Sequence, residues 1–448
     1  MLQAKKHIKD ALTALDCLTV YRHIRADLIM QEFHKVLELS LADDPEALKS
    51  YFKLIGCLSE LPGEKILPGL NLFKNHLINT ILTTETVFSR DSEKLPFSRL
   101  DKSFLKLIES DLASVKSVYD FDFSRLFEQL KEKYKLDDLA IELNDLNFGR
   151  AAAGNSPAFY FQRVEQIKKV LAESSDWSSN IEELYDFYRD VGSGEFGRYW
   201  AFKWSSNGNH SDLVGVVNPD PIRMEDLVGL EDQQEEIIRN TRQFIAGLPA
   251  NNILLYGDRG TGKSSTIKSL IHIFGSEGLR LIEISKHDIL NLHRVIRQVR
   301  GRGQKFTIFI DDLSFEENET EYKELKALLE GSIEKPPENV LVYATSNRKN
   351  LIREYFSDRE ADEVGTMETY QEKLSLADRF GIKLVFPTPG QKEYLDTVAE
   401  IARNSGIDMD RSKLDKLALE WVMWHNSRSG RTARQFVNDL IGRLKSEK

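Results

Sequence analysis

The plainest chemistry in this 448-residue chain lies in eight residues, Gly257 to Ser264, GDRGTGKS. A phosphate group is held well by a ring of main-chain N–H groups, and nearby side chains would keep it out. Glycines at 257, 260 and 262 remove that obstruction. Asp258, Arg259 and Thr261 supply further main-chain groups to the cradle. The loop then opens a helix, whose positive end faces an anion. Lys263 adds a mobile cation for a phosphate chain, the Ser264 hydroxyl suits a magnesium ion, and Ser265 continues the cradle into the helix. Average residue usage gives a chance match to GxxxxGK[ST] a probability of roughly 1–2% in a chain this long, so the motif is taken at face value.

A magnesium ion bound there needs an acid from a neighbouring buried strand. FTIFIDD supplies two, Asp311 and Asp312, directly after Phe309 and Ile310. Asp311 suits the metal's water shell, and Asp312 stands where a base could polarise an attacking water. An apolar run ending in two acids is by itself an ordinary strand end. Its position, 48 residues past Lys263 and in the same alternating texture, gives it weight.

The elements that must position these groups follow from the surrounding pattern. Apolar Ile253–Tyr256 precedes the loop as a strand, and STIKSLIHIF follows as a helix. Short apolar runs (NILLY, FTIFI, VLVYATS) alternate with helical segments, which argues a parallel sheet with crossover helices. Upstream the texture is helical. Apolar residues recur at helical spacing in Leu70, Phe73, Leu77 and Ile81, in Phe104, Ile108, Leu112 and Val115, and in Tyr160, Val164, Ile167 and Leu171. The polar run SSNGNHSD reads as a linker. The expected domains are an all-α unit over 1–204, a linker over 205–219, an α/β unit over 220–389 and a helical lid over 390–448.

Gly192, Gly194 and Gly197 match the dinucleotide-binding spacing GxGxxG. That motif requires a strand before it, and IEELYDFYRDV reads as a helix. A glycine-rich hinge, its aromatics Tyr199, Trp200, Phe202 and Trp204 packing on the next domain, is the reading preferred.

Bulk composition narrows the classes. Hydrophobic content of 41% with 29% charged residues is that of a globular chain, and no run approaches the roughly 18 apolar residues of a membrane helix. The start of the chain offers no signal-peptide core, and two cysteines make neither a disulfide framework nor a zinc site. A cytoplasmic protein without membrane contact is expected. The net charge of −10 argues against whole-surface attraction of polyanions, although a local basic face could supply it.

With the two acids and the phosphate loop placed, the second half resembles the AAA+ ATPases, and further motifs continue the match in order. MEDLVGLEDQ is similar to the segment flanking the adenine, with Val228 and Gly229 at its centre. VLVYATSN ends in Asn347 at the sensor-1 position, LADRFG carries Arg379 at the arginine-finger position, and SGRTARQF resembles the sensor-2 helix, with Arg431 or Arg434 as its contact. PANNILLYGDRGTGKSS, IDDLSFEE, LEGSIE, YATSNRKNL and LSLADRFG together look like an uncharacterised ATP-binding family within that group, known only as a domain of unknown function.

The resemblance implies an α/β module with a helical lid, ATP and Mg2+ as cofactors, and ATP hydrolysis. It implies a homo-oligomer, most simply a ring, because an arginine finger acts on a neighbour's site. Most of these ATPases have glutamate at the position of Asp312. The shorter aspartate implies slow turnover, with Glu316 or Glu317 as substitutes.

The energy would remodel, load or switch a macromolecular partner recruited through the helical first half. Two alternatives stand beside this: a scaffold or switch with little motor activity, and a P-loop small-molecule kinase. KHDILNLHRVIRQVRGRGQK lacks the aromatic pair of protein-threading relatives. It spaces Arg294, Arg297 and Arg300 three apart, with Arg302 and Lys305 beyond, either a solvated face or a track for nucleic-acid phosphates.

Overall fold

The computed structural model describes residues 2–61, 66–135, 143–146, 158–207, 210–315, 320–330, 337–347, 376–425 and 427–446. The chain divides into two compact units, residues 1–199 and 200–448.

The first unit is helical. Helices α1 (Leu2–Asp16), α2 (Leu28–Leu41), α3 (Glu46–Ser59), α4 (Leu72–Thr83), α5 (Val87–Ser92), α6 (Lys102–Tyr119), α7 (Phe123–Tyr134), α8 (Ala158–Glu173), α9 (Ile181–Val191) and α10 (Gly194–Arg198) succeed one another. Short acidic and amide side chains start many of them. Asp27, Asn71, Asp101 and Asp122 each accept a hydrogen bond from a first-turn N–H, satisfying donors that the helix itself leaves open. The helical periodicities converge on one core: Phe73, Leu77 and Ile81, then Ile108, Leu112 and Val115, then Ile167 and Leu171 are buried. Phe33 sits at its centre, its ring 4.9 Å from Phe73, 5.2 Å from Phe121 and 5.3 Å from Phe123. The GxGxxG glycines follow helix α9 and overlap α10, without the strand that a dinucleotide fold requires.

The second unit is built on a seven-stranded sheet: β1 (Ala201–Asn207), β2 (His210–Gly215), β3 (Ile253–Gly257), β4 (Leu279–Ile284), β5 (Lys305–Ile310), β6 (Val340–Ser346) and β7 (Ile382–Phe386). Their order is β2-β1-β4-β5-β6-β3-β7, and every neighbouring pair is parallel except β1 with β2. Interior strands such as β6 are buried along their whole length, which explains their unbroken apolar sequence. Helices α11 (Glu231–Ile245), α12 (Lys263–Phe274), α13 (Leu292–Val299) and α14 (Thr320–Glu330) lie between strands in the chain.

The segment expected as a linker, 205–219, is instead largely sheet. Residues 201–207 pair antiparallel with 210–215, and Phe202 pairs in register with Ile282 of β4. Phe202 and Trp204 are buried while Lys203 between them is exposed, an alternation that seats β1 on the core of this unit. Phe202 and Trp204 thus pack into this unit, as expected of them, but as part of its sheet.

After β7 come three helices, α15 (Gln391–Asn404), α16 (Arg411–His425) and α17 (Gly430–Ser446). They close over Tyr394, Val398, Leu414, Ala418, Phe436 and Val437, a small core of their own. No described helix is long and apolar enough to cross a membrane.

Candidate functional site

Strand β3 ends at Gly257, whose φ of 148° is open to glycine alone; a Cβ there would lie 2.1 Å from the Phe386 carbonyl oxygen of β7. The loop continues through Gly260 (φ 78°) and Gly262 (φ 99°), also in backbone conformations that side chains resist. Gly262 is the N-cap of α12 and has no side chain to cap it. The first-turn N–H groups therefore lack the side-chain acceptor that most helix starts provide, and an anion can take that place.

Lys263 opens α12 and is only 6% exposed. Its Nζ donates to Gly257 O at 2.7 Å, Asp258 O at 2.6 Å and Asn347 Oδ1 at 3.3 Å. Burial pushes the ammonium's pKa below its usual value, against the opposing pull of Asp311, Asp312 and Asp258. The Ser264 hydroxyl donates to Asp311 Oδ1 at 2.6 Å, so the last residue of the loop and the first acid after β5 meet across the sheet end. These two oxygen donors fit Mg2+, which is characteristically held by one or two protein oxygens, water and phosphate.

Asp312 has a left-handed backbone, φ 51°. Its carboxylate accepts from the Asn347 side-chain amide and lies 4.0 Å from the Arg259 guanidinium. Asn347 follows β6, which runs between the strands carrying the phosphate loop and the acids. The sheet order thereby places Lys263, Asp311, Asp312 and Asn347 at one end. Glu316 and Glu317 lie outside the described residues.

These groups face a cavity of about 1020 Å3, the size of a large cofactor site. Arg259, Gly260, Thr261, Gly262, Lys263, Ser264 and Ser265 line it, as do Val228 and Gly229, and from the lid Arg431 and Arg434. Its apolar walls come from Ile222, Leu227, Leu230 and Ile401. The lid touches the loop directly: Arg431 N donates to Gly260 O at 3.4 Å, and a Cβ on Gly260 would come within 2.9 Å of Ser429 Oγ.

Arg379 is not among the cavity's lining residues; it follows the short turn 376–378 and is exposed. On the basic segment, Arg294, Arg297 and Arg300 are exposed along α13 and at its end, while Leu292, Val295, Ile296 and Val299 face inward. Arg302, expected to extend that stripe, is buried, so the exposed run is shorter than the sequence suggests. Among the lining residues that the sequence does not single out are the polar Thr345, Thr388 and Glu393. Thr388 Oγ1 donates to Asp258, tying the loop to the segment that leads into the lid.

A glycine loop closing on a helix N-terminus, with acids at the end of a parallel strand one place beyond its neighbour and beneath a helical lid, is the architecture of an AAA+ P-loop module. Within that class the chain belongs to the family described as "Protein of unknown function (DUF815)", which matches residues 197–444. No curated protein matches it. Among solved structures it aligns with the Holliday junction branch migration motor RuvB of Thermotoga maritima at 14% identity and a TM-score of 0.32, over 49% of this chain and 72% of that one. Two single-residue variants of that RuvB align over the same shares at 14% identity, with TM-scores of 0.33 and 0.32. Similarity this slight carries no functional argument.

Proposed function

We propose that this protein binds ATP with Mg2+ at the loop 257–265 and hydrolyses it. The observation that carries the reading is the Ser264–Asp311 contact at 2.6 Å beside a loop with three glycines at positive φ. It brings together the two protein oxygens that a phosphate-bound metal needs, at the mouth of a helix. In this reading Lys263 neutralises the phosphate chain, and Ser264 and Asp311 hold the metal. Magnesium, when bound, supplies charge neutralisation during phosphoryl transfer. Asp312 accepts the proton of the attacking water, Asn347 orients that carboxylate, and Arg431 or Arg434 brings positive charge from the lid. Val228 and Gly229 flank the base.

Asp312 is shorter than glutamate and held by Asn347, which supports slow turnover. Slow turnover suits a switch or a loader better than a fast motor. Because Arg379 lies outside its own subunit's cavity, we assign it to a neighbour's site, which makes the working species a homo-oligomer, most simply a ring. The helical first unit would recruit a macromolecular client. The decisive measurement is a titration with labelled ATP, with and without Mg2+, coupled to phosphate release. Saturable Mg2+-dependent binding with release of phosphate to water supports the reading. Transfer of phosphate to a small molecule would make the protein a kinase, and no saturable binding by folded protein would end it.

A further inference from the structure

We infer that Thr345 is a positioning residue for hydrolysis, one that shapes both acids at once. The inference rests on the reading of this cavity as an ATPase site.

Thr345 is 1% exposed and lies near the end of β6, where Leu255 of the phosphate-loop strand is its partner on one side and the chain leaving β5 on the other. It holds three successive residues. Its hydroxyl donates to Asp311 Oδ1 at 2.6 Å, the same hydroxyl accepts from Asp312 N at 2.9 Å, and its carbonyl accepts from Leu313 N at 2.7 Å. A hydroxyl is required for the first two, since one atom must donate and accept together.

Two consequences follow. Asp311 Oδ1 receives hydrogens from Ser264 and Thr345, each at 2.6 Å, and from Asp312 N at 3.2 Å. That oxygen is saturated from the protein side, so the carboxylate plane is fixed and Oδ2 is the oxygen left for a metal's water shell. Secondly, the N–H of Asp312 is tied at the point where the backbone turns to φ 51°. An aspartate pays for that conformation, and contacts on both sides of it sustain the turn. The turn brings the Asp312 carboxylate to Asn347, on the same strand end as Thr345.

A buried threonine in a strand would ordinarily satisfy its hydroxyl on a neighbouring carbonyl. Here the hydroxyl serves the two acids instead. Removing it should loosen the geometry of hydrolysis more than the grip on the triphosphate, which is made by the loop and Lys263.

The test compares the full-length protein with Thr345→Val, which keeps the shape and removes the hydroxyl, and Thr345→Ser, which restores it. The expected result is labelled-ATP affinity within about threefold of the parent in both variants. In Thr345→Val the kcat should fall about 10²-fold and the Mg2+ concentration for half-maximal activity should rise, with recovery to within about fivefold in Thr345→Ser. Parental kcat in Thr345→Val, or no recovery in Thr345→Ser while both stay folded, overturns the inference alone. Equal loss of affinity and turnover in Thr345→Val, with a lowered melting temperature, also overturns it, because a merely structural role would do that. A parent chain that binds ATP without releasing phosphate overturns the hydrolytic reading itself.

Discussion

The side-chain amide of Asn347 donates to Oδ1 of Asp312, while the Asn347 oxygen accepts from Lys263 Nζ at 3.3 Å. One asparagine thus links the proposed base to the phosphate-binding cation. Substituting Asp312→Asn removes the proton acceptor but keeps a side chain of the same size. Nucleotide affinity should be retained within a few-fold, and phosphate release should drop about 10²–10⁴-fold, the usual contribution of a general base. Fluorescent-nucleotide titration and a phosphate-release assay check both. Unchanged turnover would move the base elsewhere, with Glu316 as the next position to change.

Lys263 gives a prediction with a sign. Burial lowers its pKa below the ordinary 10.5, so the ammonium deprotonates earlier than a surface lysine as pH rises. Affinity for ATP should therefore decline on the alkaline side at a pH below 10.5. In the same window the nucleotide-free chain should gain stability with rising pH, because the unfolded chain still holds a proton that the folded one has released. Lys263→Ala should abolish binding at every pH. Retained micromolar affinity in that variant would refute the assignment of the phosphate site.

The parts of this molecule that could be read from residues alone are the ones encoded locally. Gly257 to Ser264 specify a turn by the glycines they contain, and a buried parallel strand shows in the unbroken run before Asp311. The antiparallel pair 201–207 and 210–215 is not legible in the residues because the polar run SSNGNHSD has the composition of a linker. The signal was the alternation Phe202, Lys203, Trp204, too short to outweigh it. Thr345 and Thr388 were illegible for a different reason. Their roles depend on which strand end or loop lies opposite, and that is set by sheet order rather than by spacing in the chain. Arg302 looked like its neighbours in charge, and only the packing that buries it sets it apart.

Gly257→Ala tests the seam between β3 and β7. The added methyl would sit 2.1 Å from the Phe386 carbonyl oxygen, and the φ of 148° would be strained for alanine as well. Neither atom is the flexible end of a side chain, so strands must shift. A loss of roughly 2–4 kcal/mol in urea unfolding is expected, together with weakened nucleotide binding. A change under about 0.5 kcal/mol would mean that the strand ends yield freely.

The exposed arginines of α13 lead to a measurement that separates two roles. If Arg294, Arg297 and Arg300 contact phosphate backbones, replacing all three with alanine should weaken binding of a nucleic-acid duplex uniformly across sequences. It should also reduce the slope of log affinity against log salt by about 3. If the parent shows no salt-dependent binding to lose, the arginines form a solvated face or a protein contact.

Arg379 is best tested by mixing. If Arg379 serves a neighbour's site, a subunit carrying Arg379→Ala keeps its own phosphate site but offers no finger to its neighbour, whereas Lys263→Ala keeps the finger and loses the site. Each pure variant should be nearly inactive, because every interface lacks one part. In a 1:1 mixture that assembles at random, an interface is complete when an Arg379→Ala site meets the finger of a Lys263→Ala neighbour. That happens at about one interface in four, so the mixture should regain roughly a quarter of parental turnover per subunit. Titrating the ratio should give a maximum near equal parts. If Arg379→Ala alone hydrolyses ATP at the parental rate, the residue is a surface arginine. Should neither variant be rescued at any ratio while both still co-assemble, the assignment of Arg379 to a neighbour's site loses its support.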